Sequence, residues 1–154
     1  SRKSTESYAV IVLDAFGTGG RIPSHLATVE FFRLCRLKLG DDGLLVMNIN
    51  SALRGPHSGI LHAIHSTMRN VFPHVVTYAV GQGFPAEQSI NYVLFASAEP
   101  IMDRRHHIEA RFPNEVRASK AAIDWMLETA VPSDEIGPGP VLSDDWSPID
   151  LMSF

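Results

Sequence analysis

Tyr8-Ala9-Val10-Ile11-Val12-Leu13-Asp14 is the stretch on which the reading of this chain turns. Its six leading residues are apolar without a polar break, and the run ends at a carboxylate. A strand with one wet face alternates apolar and polar residues. A continuous apolar run rich in β-branched residues fits a strand buried on both faces, as in a parallel sheet covered by helices. A glycine-rich loop follows, Gly17-Thr18-Gly19-Gly20, and then an amphipathic stretch over about 24–39 with Phe31, Phe32, Cys35 and Leu39 on its inner side. That is a strand–loop–helix unit, closed by the helix-stopping Gly40-Asp41-Asp42-Gly43.

Working outward, Leu44 to Ile49 repeats the strand pattern, apolar on both faces until Asn48. Arg54-Gly55-Pro56 leads into a second helix over about 57–72, where Ile60, Leu61, Ile64, Met68 and Val71 recur at helical spacing. Pro73 ends it. Two strands follow at 74–80 and 89–96, joined by Gly81-Gln82-Gly83-Phe84-Pro85 and too tightly connected to be parallel. A third helix is predicted over about 114–130, with Asn114 as N-cap and Val116, Ile123 and Leu127 on one face. The Pro-, Gly- and Asp-rich residues 132–154 are predicted to form an extended C-terminal tail lying on a domain formed by residues 1–131. The order is that of an α/β fold. The apolar first strand makes a poor sheet edge. A neighbour is therefore expected along residues 8–13, either an N-terminal half absent from this sequence or a partner chain.

Composition narrows the function classes. The 154 residues are 45% hydrophobic and 19% charged, a globular balance that excludes a disordered chain. A net charge of -4 offers no basic field for a phosphate backbone, so no nucleic-acid partner is expected. The lone Cys35 excludes an internal disulfide framework and reads as an inert core residue. No apolar run reaches the ~18–20 residues that cross a bilayer, so no membrane partner is expected from this segment and a cytoplasmic location is.

In open α/β sheets, ligands bind beyond the carboxyl ends of the strands. Asp14 stands there after the first strand, and Asn48 and Asn50 stand at the end of the second. Gln88, in the loop entering the last strand, can reach the same rim. A carboxylate at this rim can take a proton from an amine or hydroxyl, bind a cation, or simply order the glycines that follow it. The glycine loop does not fit a phosphate loop, because Arg21-Ile22-Pro23 intervenes before the helix. His62 and His65 are predicted on the outer face of the second helix with Arg69, and His106-His107 in a charged connection. The first pair has no carboxylate at metal-ligand spacing beside it and the second reads as a solvated connection, so no metal is expected. Asp144, Asp145 and Trp146 in the tail can bind an amine cation, or Trp146 can pin the tail to the body.

Over nearly its whole length the chain resembles the second half of a spermidine synthase-like (aminopropyltransferase) domain. The resemblance is carried by Tyr8 to Phe16, Ile22-Pro23-Ser24-His25-Leu26, Glu30-Phe31-Phe32, Asp42-Gly43-Leu44-Leu45-Val46, Phe72-Pro73-His74-Val75, Phe84-Pro85 with Gln88, and Leu142 to Pro148. It implies a Rossmann-like class I methyltransferase fold with strand order 3-2-1-4-5-7-6, of which this chain supplies strands 4, 5, 6 and 7. It implies transfer of an aminopropyl group from decarboxylated S-adenosylmethionine to a small-molecule amine, with Asp14 as base and Gln88, Asn48 and Trp146 on the substrate side. Ala15 and Phe16, beside the base, are implied to face the co-substrate. Classical members carry a second aspartate where this chain has Gly17, as in a divergent branch often fused to transporter domains. The residues that hold the nucleoside belong to the other half of such a domain. A methyltransferase using S-adenosylmethionine and a non-catalytic assembly module stand as alternatives, and a homodimer is compatible with the family.

Overall fold

The computed structural model describes residues 7–15, 22–101 and 128–152. Its strands are β1 (Tyr8–Leu13), β2 (Leu39–Ser51), β3 (His74–Ala79), β4 (Ile90–Ser97) and β5 (Ala130–Val131). Its helices are α1 (Val29–Lys38) and α2 (Gly59–Arg69), with 3-10 turns at Ser24–Leu26 and Pro148–Leu151. The strands form one sheet in the order β1-β2-β4-β3-β5. β1 is parallel to β2, and β4 runs antiparallel to both β2 and β3. The first four strands thus stand in the 4-5-7-6 order of the class I methyltransferase fold. The short connection across residues 80–89 permits only the antiparallel hairpin seen there.

β2 alternates strictly. Leu45, Met47, Ile49 and Ser51 are buried, while Val46, Asn48 and Asn50 between them are half-buried. Side chains alternate across a strand, so the first set shares one face with its antiparallel partners Ala96, Leu94 and Tyr92. Phe32 and Cys35 of α1, and Ile60, Leu61, Ile64 and Met68 of α2, belong to that core. Both helices therefore cover the same face, as right-handed crossovers between parallel strands require. The continuous run at 44–49 predicted burial on both faces. The opposite face, with Val46, Val93 and Phe95, is only half-buried. Burial pushes the Cys35 thiol up to about 11, which leaves it an inert core group.

Three boundaries differ from the sequence reading. Pro23 and the 3-10 turn after it delay the first helix until Thr28, whose hydroxyl caps it by accepting from the Phe31 N–H at 3.3 Å. Gly40 to Gly43 do end the helix, and they form an irregular start to β2 that shifts its register with β1. A Cβ on Gly43 would lie 2.6 Å from that of Leu39, so only glycine fits there. The predicted third helix lies largely outside the described residues, and its last residue, Ala130, is instead in β5.

β1 departs most from its prediction. It stands at one end of the sheet and is not buried on both faces: Tyr8, Val10 and Val12 are 56%, 51% and 65% exposed. The tail is more than a surface arm, since Ile136, Leu142 and Ile149 are buried in it. Gly139 donates its N–H to Ser66 Oγ and Leu142 donates to Thr67 Oγ1, each at 3.0 Å, while the Leu142 carbonyl accepts from Val29 N–H at 2.8 Å. Residues 136–149 thereby strap α2 to the start of α1.

Candidate functional site at the carboxyl rim of the sheet

β1 and β2 point the same way and Leu13 pairs with Met47, so the next residues, Asp14 and Asn48, stand level. Asn48 Nδ2 donates to Asp14 Oδ1 at 3.0 Å. A carboxylate can only accept, so this contact fixes which way the Asn48 amide faces. Its other end, Oδ1, is shielded from solvent and has no hydrogen-bond partner. A buried acceptor without a donor costs about 1–3 kcal/mol, and such orphans call for an explanation. Here one lies beside an exposed carboxylate, an arrangement suited to a ligand that brings N–H groups to the rim.

Two residues on and on the same face, Asn50 Nδ2 donates to Asn91 Oδ1 at 3.1 Å. The two residues are direct partners across β2 and β4. The rim is thus a polar step, Asp14–Asn48 then Asn50–Asn91, above an apolar sheet. Asn91 was not foreseen from sequence, because its place depends on the β2–β4 register, which a single chain does not spell out.

The other expected site residues separate. Ala15 is exposed beside Asp14, and Phe16 and the glycine loop 17–20 lie outside the described residues. The Gln88 loop does reach this end of the sheet. Gln88 N–H donates to the Pro85 carbonyl, and the Ala86 carbonyl accepts from Leu53 and Arg54 N–H just beyond β2, each at 2.9 Å. No hydrogen bond joins the Gln88 side chain to Asp14. Trp146 sits elsewhere, in a turn where it and Ser143 exchange two backbone hydrogen bonds of 3.0 Å. It is 54% exposed, and the buried Leu142 anchors that turn in its place.

This turn closes a cavity of about 330 Å³, lined by Thr28, Glu30, Phe31, Leu34, Asp144 and Ser147 among others. No rim residue lines it. Its carboxylates are engaged in holding the tail: Asp144 accepts from Thr28 Oγ1 at 2.7 Å, and Glu30 accepts from Asp144 N–H at 3.0 Å.

The histidines of the second helix do not share an outer face. His65 is 4% exposed, and burial first, then Arg69 and His62, lowers its pKa to about 4. His62 sits against the tail, with Nε2 3.0 Å from the Leu53 carbonyl. His106 and His107 lie outside the described residues. Among the described residues, no three His, Cys, Asp or Glu side chains gather as a metal site, and no helix is long and apolar enough to cross a membrane.

No protein-family model and no curated protein matches the chain. Solved structures do. A probable spermidine synthase from Corynebacterium glutamicum shares 29% identity at a TM-score of 0.52, over 61% of this chain and 32% of that one. The fold is spermidine synthase-like. Two further structures are a spermidine synthase in complex with the transition state analogue AdoDATO and the spermidine synthase from Thermotoga maritima. Each is 23% identical over 62% of this chain, with TM-scores of 0.48 and 0.45, covering 31% and 30% of their own chains. The chain thus spans about a third of the spermidine synthases it matches.

Proposed function

We propose that this chain is the acceptor side of a spermidine synthase-like transferase that moves an aminopropyl group from decarboxylated S-adenosylmethionine to an amine. The observation that carries this is Asp14 at the strand tip, with one oxygen fixed by Asn48 and an unpartnered acceptor beside it, in a fold shared with a probable spermidine synthase.

The chemistry follows from what these groups can do. An amine attacks only as its free base. The Asp14 carboxylate accepts a proton from the attacking nitrogen, and Asn48 Oδ1 accepts a second N–H, aiming the lone pair. The nitrogen then bonds to the aminopropyl carbon as the bond from that carbon to the sulfonium sulfur breaks. The electron pair goes to sulfur, and methylthioadenosine leaves neutral. The half-domain that holds the nucleoside completes the site by pairing along Tyr8–Leu13, the exposed strand that ends at Asp14. Gln88 lies on the acceptor side. The described residues supply the base and the acceptor rim, and no nucleoside-binding set is assigned among them.

Substituting Asp14→Asn in the full-length protein is the test. The amide keeps the shape and cannot take the proton, so turnover falls by about 10²–10⁴-fold while methylthioadenosine still binds. Unchanged turnover removes Asp14 as the base, and absence of methylthioadenosine binding removes the transferase reading.

A further inference from the structure

We propose that Asn50 and Asn91 receive the end of the acceptor remote from the reacting nitrogen, and that this end is a neutral group such as a hydroxyl or carboxamide rather than a second ammonium. The inference rests on the transferase reading above and deepens it.

The two amides are joined at 3.1 Å by one hydrogen bond, from Asn50 Nδ2 to Asn91 Oδ1. That bond uses one amide's donor and the other's acceptor. It leaves Asn50 Oδ1 as an acceptor and Asn91 Nδ2 as a donor. If both amides are turned over, the bond reverses and one donor and one acceptor still remain. The pair therefore offers a mixed edge in either orientation. A hydroxyl or carboxamide both donates and accepts, and satisfies both positions. An ammonium only donates, so it meets one acceptor, faces an N–H donor, and finds no countercharge in the pair. Charge-assisted hydrogen bonds are roughly twice as strong as neutral ones, and that advantage is missing here.

Position ties the pair to the reacting end. Asn48 and Asn50 are two residues apart on one face of β2, about 6.7 Å along the strand, and Asp14 lies one strand over, about 4.8 Å aside. An acceptor reaching from Asp14 to Asn50 thus spans about 8 Å, which suits an ω-amino alcohol or ω-amino amide with a flexible alkyl chain. Beside Asn48 this face is apolar: Val46, two residues before it on β2, and Val93, its partner on β4, are both half-buried.

The test is acceptor competition in the full-length protein, with 6-amino-1-hexanol, 6-aminohexanamide, 1,6-diaminohexane and hexylamine, reading each alkylated product by mass. The expected result is that the alcohol or amide exceeds the diamine about tenfold in kcat/KM. Asn91→Asp and, independently, Asn50→Asp each supply a carboxylate that the remaining amide can still bond, and each reverses the preference toward the diamine. A native preference for the diamine, or a preference that neither substitution moves, overturns the proposal. The transferase reading survives that result if Asp14→Asn still abolishes alkylation of every acceptor. If no acceptor is alkylated, the transferase reading itself fails and takes this inference with it; if acceptors are alkylated but Asp14→Asn changes nothing, Asp14 is not the base and the placement of the remote end measured from it is overturned.

Discussion

Acid sensitivity at His65 gives the most quantitative check on the interior. The imidazole sits on α2 at 4% exposure, with Nε2 shielded and unpartnered, and its pKa is lowered from 6.5 to about 4 by burial, then by Arg69 and His62. A lowered pKa means that the fold favours the neutral ring. The stabilisation is fully present above pH 6.5, the unfolded value, and is lost as pH falls through the folded value near 4. Between pH 7 and pH 4.5 the loss comes to about 2 kcal/mol, at about 1.36 kcal/mol per pH unit over most of that interval. The perturbation is His65→Gln, which keeps a polar side chain of similar reach and cannot titrate. Urea unfolding of both proteins at pH 7.0, 6.0, 5.0 and 4.5 isolates the effect. The variant starts less stable at pH 7, yet its stability falls less steeply with acid, and the gap narrows by about 2 kcal/mol. Parallel pH curves for the two proteins refute the reasoning, because another group then carries the acid transition.

Two further predictions concern the tail. Leu142→Ala removes a fully buried side chain between α1 and α2 and is expected to cost about 2–5 kcal/mol in urea unfolding, whereas Trp146→Ala, at an exposed position, costs less than about 1 kcal/mol; the reverse ranking assigns the anchor to Trp146. Gly139→Ala would place a Cβ 2.3 Å from the His62 carbonyl carbon, so it forces the strap off α2. Limited proteolysis should then cut within residues 132–142 faster than in the native chain, and an unchanged cleavage pattern contradicts that close approach.

The order of elements along the chain was legible because each carried a local signal, whereas the order of strands in the sheet came only with the family resemblance. The apolar runs at 8–13 and 44–49 and the helical spacing from Ile60 to Met68 each pointed to one element, and the short 80–89 connection forced an antiparallel pair. Exposure was harder to read. A run such as 8–13 states that apolar residues want cover without stating what covers them. β5 carries too few residues to show any periodicity and exists only because Ala130 and Val131 meet Tyr78 and Thr77. His65 was misplaced for a related reason. Three-residue spacing from His62 put both histidines on one face, but His65 also stands four residues after Leu61 and three before Met68, both fully buried, and it shares their face. At the rim, Asp14 and Asn48 were legible from the rule that ligands gather at carboxyl ends. Asn91 was not, because its role depends on long-range register.

Under the proposed function, Asp14 ties the chemistry to β1, most of whose residues are exposed. Its side chain is fixed from one direction only, by Asn48 on the well-covered β2, while the strand that carries it has β2 as its single neighbour among the described residues. General-base catalysis is sensitive to displacements of the order of 1 Å, which can cost about 10²-fold. A base at the tip of an edge strand is therefore positioned to the precision of that strand's pairing. Under that proposal the half-domain pairing along Tyr8–Leu13 shields Val10 and Val12 and also sets how firmly Asp14 is held. Under the proposed function, completing the sheet and readying the base are one event: the apolar character of residues 8–13 serves both, and the Asn48 contact supplies the fixed side against which the base is set.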